Sequence, residues 1–464
     1  MINENEIKEK ILSNLPFAPS LEQLALVKGL SSFIAKHAHN DVFVLNGYAG
    51  TGKTSVMGAL FKTMKSFEKK TVVLAPTGRA AKVTADFSLG LASTIHKRLY
   101  RGNSADPSNA SYFLTPNTDS DTLFIVDEAS LITDGTSLSS SLLLQLIRHI
   151  YSSPGCYLIL VGDLAQLPPV GQSRSSAMDE ERLLQIGLNP IKFSLVTPLR
   201  QASESGILYN ATNIRNLLFS NSEISRFKIF KSGFPDVEII ESTEMLDYLA
   251  SSWKKVGKND TIVITRSNYR ANVINNSIRR YLLDADGPLI AGERLIISKN
   301  DYFWSKKNNL HTFLANGEIA IITNLGKKLK KYGRWFEEVE LKIPGVDNLI
   351  NAMLILRSLI AEGPSISREE MERFYNRVLA ETEGELSEKI KTALESPFYN
   401  ALQMKYGYCI TCHKAQGGQW RHVYIDLGGL SQELPTNDFF RWLYTAVTRA
   451  TEKIFFLNSP FPVV

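Results

Sequence analysis

Three cysteines in 464 residues (Cys156, Cys409 and Cys412) are too few to staple a chain of this size. That usage predicts a reducing, cytoplasmic setting and excludes a secreted disulfide scaffold. Long apolar runs are also missing. The longest, "YLILV" and "SLLLQLI", fall far short of a bilayer span, which needs ~20 residues. The opening "MINENEIKEK" is polar and acidic, so neither a secretory leader nor a membrane partner is expected. Charge of one sign is scarce: 52 Lys plus Arg stand against 47 Asp plus Glu, a net +5. That small excess permits a nucleic-acid partner without requiring one. No internal repeat and no low-complexity tract is visible. What remains is a soluble globular composition, 44% hydrophobic and 21% charged, in a chain long enough for two to four domains.

Helical spacing of Ile7, Ile11 and Leu15, and Ser20 as an N-cap before "LEQLALVKGLSSFIAKHA", predict two helices over residues 6–37. Four short apolar strands follow, "VFVLN" (42–46), "TVVLA" (71–75), "TLFIV" (122–126) and "YLILV" (157–161), separated by mostly helical segments such as 53–68. Unbroken apolar strands alternating with helices imply a parallel sheet covered on both faces. The pattern recurs in "TIVIT" (261–265) with a helix at about 269–283, and in "VYIDL" (423–427), a helix at about 436–449 and "KIFFLN" (453–458). Two α/β units are therefore expected. Between the parts of the second, residues 291–404 carry β-like runs ("ERLIIS", "GEIAIIT", "EVELKI") and a charged helical stretch at 366–395. This reads as an insertion. A smaller polar insertion, 99–120, interrupts the first unit.

The chemistry-bearing stretches sit at strand ends. "GYAGTGKT" (47–54) has the G-x-x-x-x-G-K-[ST] spacing, after a predicted strand and opening a predicted helix. Glycines Gly47, Gly50 and Gly52 let backbone N–H groups wrap phosphates, with Thr51 and Ser55 in the same cradle. Lys53 would reach the terminal phosphates and the Thr54 hydroxyl would hold Mg²⁺. In "LFIVDEAS" (123–130), Asp127 would orient Mg²⁺ and Glu128 would position or deprotonate the attacking water. In "YLILVGDLAQLPPVG" (157–171), Gln166 can hydrogen-bond the γ-phosphate, and Asp163 can support the metal shell or hold Gln166 in place. Each stretch alone has an ordinary structural reading as a turn. Hydrolysis needs them in one cleft, and their joint presence favours ATP and Mg²⁺ as ligands.

Together "GYAGTGKT", "LAPTGRAAK" (74–82), "STIH" (93–96), "IVDEAS", "GDLAQLPPVG", "LRQ" (199–201), "TCHKAQG" (411–417) and "LYTAVTRA" (443–450) stand in an order that resembles superfamily 1 DNA helicases of the RecD/Dda-like branch. The resemblance covers about residues 20–460. It implies an α/β fold of two RecA-like parallel-sheet motor domains (a P-loop NTPase), with a small hairpin insertion in the first. An SH3-like β plus helical insertion would interrupt the second. The expected divisions are 1–222 for motor domain 1, 223–290 and 405–464 for motor domain 2, and 291–404 for the accessory insertion.

The resemblance also implies site residues. Arg449 matches the arginine finger and Arg200 a second one, spreading charge over the γ-phosphoryl oxygens. Tyr444 would pack at the nucleotide and Gly417 would lie at the turn toward the ATP cleft. Gln23 is similar to an adenine-reading glutamine, its amide offering both a donor and an acceptor, against the plainer reading of an exposed helix residue. Pro76, Thr77, Ser93, Thr94, His96, Thr411, His413 and Lys414 would grip single-stranded nucleic acid without reading its sequence. Tyr112 and Phe113, adjacent aromatics in the 99–120 insertion, would form a pin that splits the duplex. Phe303 and Trp304 read as ordinary packing residues. The segment "GQW" after "HKAQG" departs from the family pattern.

The resulting expectation is a monomeric ATP- and Mg²⁺-dependent DNA helicase. It would translocate 5′→3′ on single-stranded DNA and act at duplex junctions, beside single-strand-binding or repair and replication proteins. The rivals are an RNA helicase or RNP remodeller on the same motor, an ATP-switched nucleic-acid-binding protein without unwinding, and a helicase subunit of a nuclease complex. "YCITCHKAQGGQW" (408–420) contains C-x-x-C and a histidine, yet a structural zinc site needs four ligands. The two cysteines therefore read as small packing residues.

Overall fold

The computed structural model describes residues 3–101, 113–135, 141–199, 205–219, 227–310, 313–344, 346–428 and 436–464. Two compact units divide the chain. One comprises Met1–Arg101, Leu114–Ile240 and Ala415–Val464; the other comprises Gly102–Phe113 and Glu241–Lys414.

The first unit is built on a six-stranded parallel sheet. Its spatial order is Ala92–Thr94, Thr71–Ala75, Leu123–Val126, Tyr157–Gly162, Asp41–Gly47, Asn189–Leu195. The four apolar runs expected as strands all lie in it. Leu123–Val126 and Tyr157–Gly162 are buried at every residue, because helices cover both faces. The pleat sends alternate side chains of one strand to opposite cores. Val42 and Val44 join Leu142, Leu146 and Ile150, while Phe43 and Leu45 join Ile7, Ile11, Leu26, Leu30, Val56 and Leu60. Ser20 caps the helix Leu21–Lys36 as expected, in a reciprocal capping box with Gln23. The same unit holds a second parallel group, in which Ala450–Leu457 lies between Trp420–Asp426 and Val237–Ile240, with the helix Asn437–Val447.

In the second unit, Thr261–Thr265 pairs in parallel with Cys409–Thr411. The expected β-like runs form an antiparallel five-stranded sheet ordered Ile350–Ile355, Arg334–Lys342, Ile319–Lys331, Arg294–Ile297, Met404–Tyr406. The charged stretch at 366–395 is two helices, Arg368–Ala380 and Leu386–Glu395. The break holds Gly384, whose φ of 111° suits glycine. Phe374 and Val378 of the first helix join the sheet's core. Trp304 is a packing residue as read from sequence: it is buried, and its indole N–H donates to Asn400 O at 2.8 Å. Among the described residues no helix is long and apolar enough to cross a membrane.

Candidate nucleotide and nucleic-acid site

Parallel-sheet geometry decides where the site lies, since loops at the carboxyl ends of adjacent strands open on the same edge. Tyr157–Gly162 runs between Leu123–Val126 and Asp41–Gly47. Its neighbours therefore deliver Asp127–Glu128 on one side and the 47–54 loop on the other, with Asp163–Gln166 at its own end.

The phosphate loop depends on glycine conformations. Gly50 and Gly52 have φ of 74° and 83°, a region costly for residues with a Cβ. A Cβ on Gly52 would also lie 2.5 Å from Gln23 Nε2. Lys53 Nζ donates to Gly47 O, and to Tyr48 O at 3.1 Å, so the ammonium lies over the loop. Thr51 is buried and its hydroxyl donates to Tyr48 O at 2.8 Å. Thr54 is exposed and Ser55 half-buried in the first turn of the helix Lys53–Ser66.

Gln23 is fully buried, so the plainer reading of an exposed helix residue is wrong. Its Oε1 accepts from Ser20 N at 3.0 Å and its Nε2 donates to Thr51 O at 3.0 Å. In this arrangement its amide ties the helix Leu21–Lys36 to the phosphate loop. Reading adenine would require it to share these contacts.

Asp127 accepts from Glu128 N at 2.9 Å and from the Thr84 hydroxyl at 3.0 Å. Burial pushes its carboxyl pKa up, opposed by those hydrogen bonds and by the Lys53 charge. Glu128 has φ of 51°, in the left-handed region, an uncommon conformation for a residue with a Cβ. Burial also raises its pKa; Arg449 and Lys53 act against that shift, while Asp127 and Asp163 add to it. The Arg449 charge is thus felt at the candidate catalytic carboxylate. With the Thr54 hydroxyl, Asp127 gives an oxygen-only donor pair beside the phosphate loop. That chemistry suits Mg²⁺, which keeps waters and phosphate oxygens in its shell.

Asp163 is buried at the end of Tyr157–Gly162. Its Oδ1 accepts from Ala165 N at 3.0 Å and its Oδ2 from the Tyr444 hydroxyl at 2.8 Å. Oδ1 thus closes the 163–167 turn, and Oδ2 ties it to Tyr444. Gln166 is buried, and its Oε1 has no hydrogen-bond partner among the described residues, which leaves that acceptor for a ligand or water.

The helix Asn437–Val447 and Gln416 hold this turn, with Arg441 and Thr445 as contacts that the motif reading overlooked. Arg441 donates to Leu164 O and, at 3.4 Å, to Gln166 O. Leu167 N donates to the Thr445 hydroxyl at 2.8 Å, and Gln416 Nε2 donates to Leu167 O at 2.7 Å. Tyr444 is fully buried; its hydroxyl accepts from Ala49 N at 2.9 Å while donating to Asp163. It therefore joins the phosphate loop to the third strand end. Helical spacing could have indicated that Arg441 and Thr445, four residues apart, share a face, but nothing local named their partner.

Arg449 is buried. Its guanidinium donates to Thr445 O at 3.0 Å, Gly418 O at 3.2 Å and Thr448 Oγ1 at 3.1 Å. Arg200 lies outside the described residues. Gly417 has φ of 70° and is pressed against Ala80, whose Cβ would stand 2.7 Å from a Cβ added there. Its immediate neighbour is thus the helix Gly78–Ala85.

The nucleic-acid candidates fall in both units. In the first, Pro76 and Ser93 are half-buried at strand ends. Thr77 and Thr94 cap helices, accepting from Ala80 N and Lys97 N at 3.1 Å each; a capping hydroxyl still has its proton to donate to a phosphate. His96 is half-buried and stacks on Tyr100 with centroids 5.8 Å apart, and burial lowers its pKa. In the second, Thr411 ends the strand Cys409–Thr411, followed by His413 and Lys414. Burial lowers the His413 pKa and, with the Lys405 charge, brings Lys414 down to about 8. Cys409 and Cys412 are both buried, in keeping with packing roles. Tyr112 lies outside the described residues, and Phe113 belongs to the short strand Phe113–Leu114. The insertion's base is closed by Thr115 N donating to Leu99 O at 2.8 Å. Arg98 holds the returning chain through Asn117 Oδ1 at 3.1 Å and through Asp119.

Comparison with known proteins matches residues 23–189 to an AAA domain family. Residues 406–457 match a UvrD-like helicase C-terminal domain family. An uncharacterized protein of Acanthamoeba polyphaga mimivirus is 24% identical over 507 residues, spanning 92% of this chain and 97% of its own length. The ATP-dependent RecD2 DNA helicase of Deinococcus radiodurans is 25% identical over 445 residues, covering 93% of this chain and 49% of the relative. The chain thus spans about half the length of that relative. Among solved structures, a Bacteroides Pif1 helicase in complex with ADP-AlF3 and single-stranded DNA superposes with a TM-score of 0.46 and 18% identity, over 96% of this chain and 93% of that one.

Proposed function

We propose that this chain is a superfamily 1 helicase of the RecD-like type that hydrolyses ATP to move 5′→3′ along single-stranded DNA and to open duplex junctions. One observation carries this reading. Three strand ends of one parallel sheet bring the 47–54 loop, Asp127–Glu128 and Asp163–Gln166 together, and Arg449 acts electrostatically on Glu128.

In this mechanism the loop N–H groups and Lys53 bind the ATP phosphates, the ammonium exchanging its loop carbonyls for phosphate oxygens. Thr54 and Asp127 would hold Mg²⁺, which would supply positive charge against the phosphates. Glu128 orients the attacking water and accepts its proton; the elevated pKa makes it the stronger base. Gln166 meets the γ-phosphate, and Arg449, with Arg200, stabilises charge developing on the transferred group. Loss of the γ-phosphate alters Gln166, and the side chains that grip the 163–167 turn carry the change to Gln416 and the neighbouring nucleic-acid loop. Thr77, Thr94 and His96 of the first unit and, separately, Thr411, His413 and Lys414 of the second offer contacts to the backbone of a strand, and Tyr112 and Phe113 are the candidates for the junction. Opening a base pair costs about 1.4 kcal/mol on average, within reach of a motor that excludes one strand.

Strand displacement on duplexes bearing either a 5′ or a 3′ single-stranded tail tests activity and polarity together. ATP-dependent displacement of the 5′-tailed substrate alone is expected. Displacement of the 3′-tailed substrate alone overturns the polarity. ATPase stimulation without displacement of either favours the ATP-switched binding protein. Stimulation that requires the 2′-hydroxyl favours an RNA substrate.

A further inference from the structure

The helix Gly78–Ala85 touches three parts of the first unit at once. Its N-cap is Thr77, a candidate nucleic-acid contact. Ala80 and Thr84, four residues apart, share one face, and both are buried. Ala80 meets the backbone of Gly417 so closely that a Cβ there would stand 2.7 Å from the Ala80 Cβ and 3.2 Å from its backbone. Thr84 donates to Asp127 Oδ2 at 3.0 Å. Beside this face, the Arg79 guanidinium carbon lies 4.7 Å from the centroid of the buried Trp420 ring. Trp420 in turn is tied to the candidate finger: its N donates to Arg449 O at 2.9 Å, and Arg449 donates to Gly418 O at 3.2 Å.

We propose that this short helix is a rigid coupler, in which Thr84 positions the Asp127 carboxylate and the Arg79–Trp420 stack positions the 417–420 segment. A strand bound at the Thr77 end would thereby set the hydrolytic groups. The proposal rests on the ATPase reading above. The physical reason is close packing. Eight residues span ~12 Å at 1.5 Å per residue, and the Ala80–Gly417 contact leaves no slack to absorb a shift. Displacement at the N-terminus therefore reaches Asp127 and the Gly418–Arg449 contact together. "GQW" is then no neutral departure, since Trp420 supplies the flat ring on which Arg79 rests.

The test uses the full chain. Thr84→Val replaces the hydroxyl by a methyl at nearly equal volume, and Thr84→Ser restores it. Mn²⁺ binding in the presence of ADP, followed by electron paramagnetic resonance, should weaken about tenfold in Thr84→Val, the scale for losing a group that orients a metal ligand. Thr84→Ser should return it to within threefold of wild type. Arg79→Met keeps the aliphatic stem and removes the cation. It should cut the maximal ATPase stimulation by saturating single-stranded DNA at least fivefold. Unchanged Mn²⁺ affinity in Thr84→Val overturns the positioning role. Arg79→Met with weaker DNA affinity but full stimulation at saturation makes Arg79 a DNA contact and overturns the coupler. If Thr84→Val does not fold, the Arg79→Met outcome still decides. Wild type without any ATPase would refute the functional reading itself, a result separate from these.

Discussion

Replacing Tyr444 by Phe removes one oxygen and leaves the ring in place, so its effect can be worked out from two hydrogen bonds. The hydroxyl accepts from Ala49 N at 2.9 Å and donates to Asp163 Oδ2 at 2.8 Å, on a side chain that is 1% exposed. Without it, a half-buried phosphate-loop N–H and one buried carboxylate oxygen lose their partner. Leaving a buried group unsatisfied costs ~1–3 kcal/mol, and more where a charge is involved. Asp163 keeps the Ala165 N–H, which limits that part, and a total of about 3 kcal/mol follows. At about 2–4 °C per kcal/mol for large domains, Tm of the first unit should fall by roughly 6–12 °C. The consequence for function is local. The phosphate loop and the 163–167 turn lose their shared anchor, so kcat should fall at least tenfold while circular dichroism at 20 °C is unchanged. Differential scanning calorimetry with steady-state ATPase measures both. Amide exchange at Ala49 should also accelerate. A Tm within 2 °C of wild type together with kcat within twofold would refute the bridging role.

Lys53→Ala should abolish ATPase; activity within twofold of wild type would remove the phosphate-loop assignment. Glu128→Gln should keep nucleotide affinity within a few-fold and stop turnover, read by fluorescent-nucleotide titration and single-turnover hydrolysis. Lys414 gives a pH dependence, since burial brings its pKa to about 8 from 10.5. Between these values the folded state has lost a proton that the unfolded state retains, so stability rises with pH there. Affinity for single-stranded DNA should fall as pH rises from 7 to 9, because the phosphate then meets a neutral amine; Lys414→Arg should flatten that profile, and an unchanged slope would exclude Lys414 as the contact. Tyr112→Ala combined with Phe113→Ala should reduce displacement of a tailed duplex at least fivefold with single-strand ATPase retained, and intact unwinding would dismiss the pin.

Local signals were legible wherever chemistry and chain direction coincide. The parallel sheet could be read from unbroken apolar runs such as "YLILV", since a strand buried on both faces has no polar alternation. The phosphate loop could be read because glycine at Gly50 and Gly52 and a lysine opening a helix have few other uses together. The Ser20 capping box lay within four residues. The burial of Gln23 was not legible because its second partner, Thr51 O, is 28 residues away and helical periodicity says nothing of that.

By itself the sequence determined the strands, the helix starts and the residue types at the strand ends, because these depend on neighbours within a turn or two of chain. Only the tertiary structure decided which groups meet. It gave Tyr444 and Asp163 to each other across 281 positions. It turned Asp163 inward, closed Gly417 onto Ala80, and placed Thr84 against Asp127. Such pairings depend on the order of strands in the sheet and on the space left between packed helices. Neither is encoded at any single position of the chain.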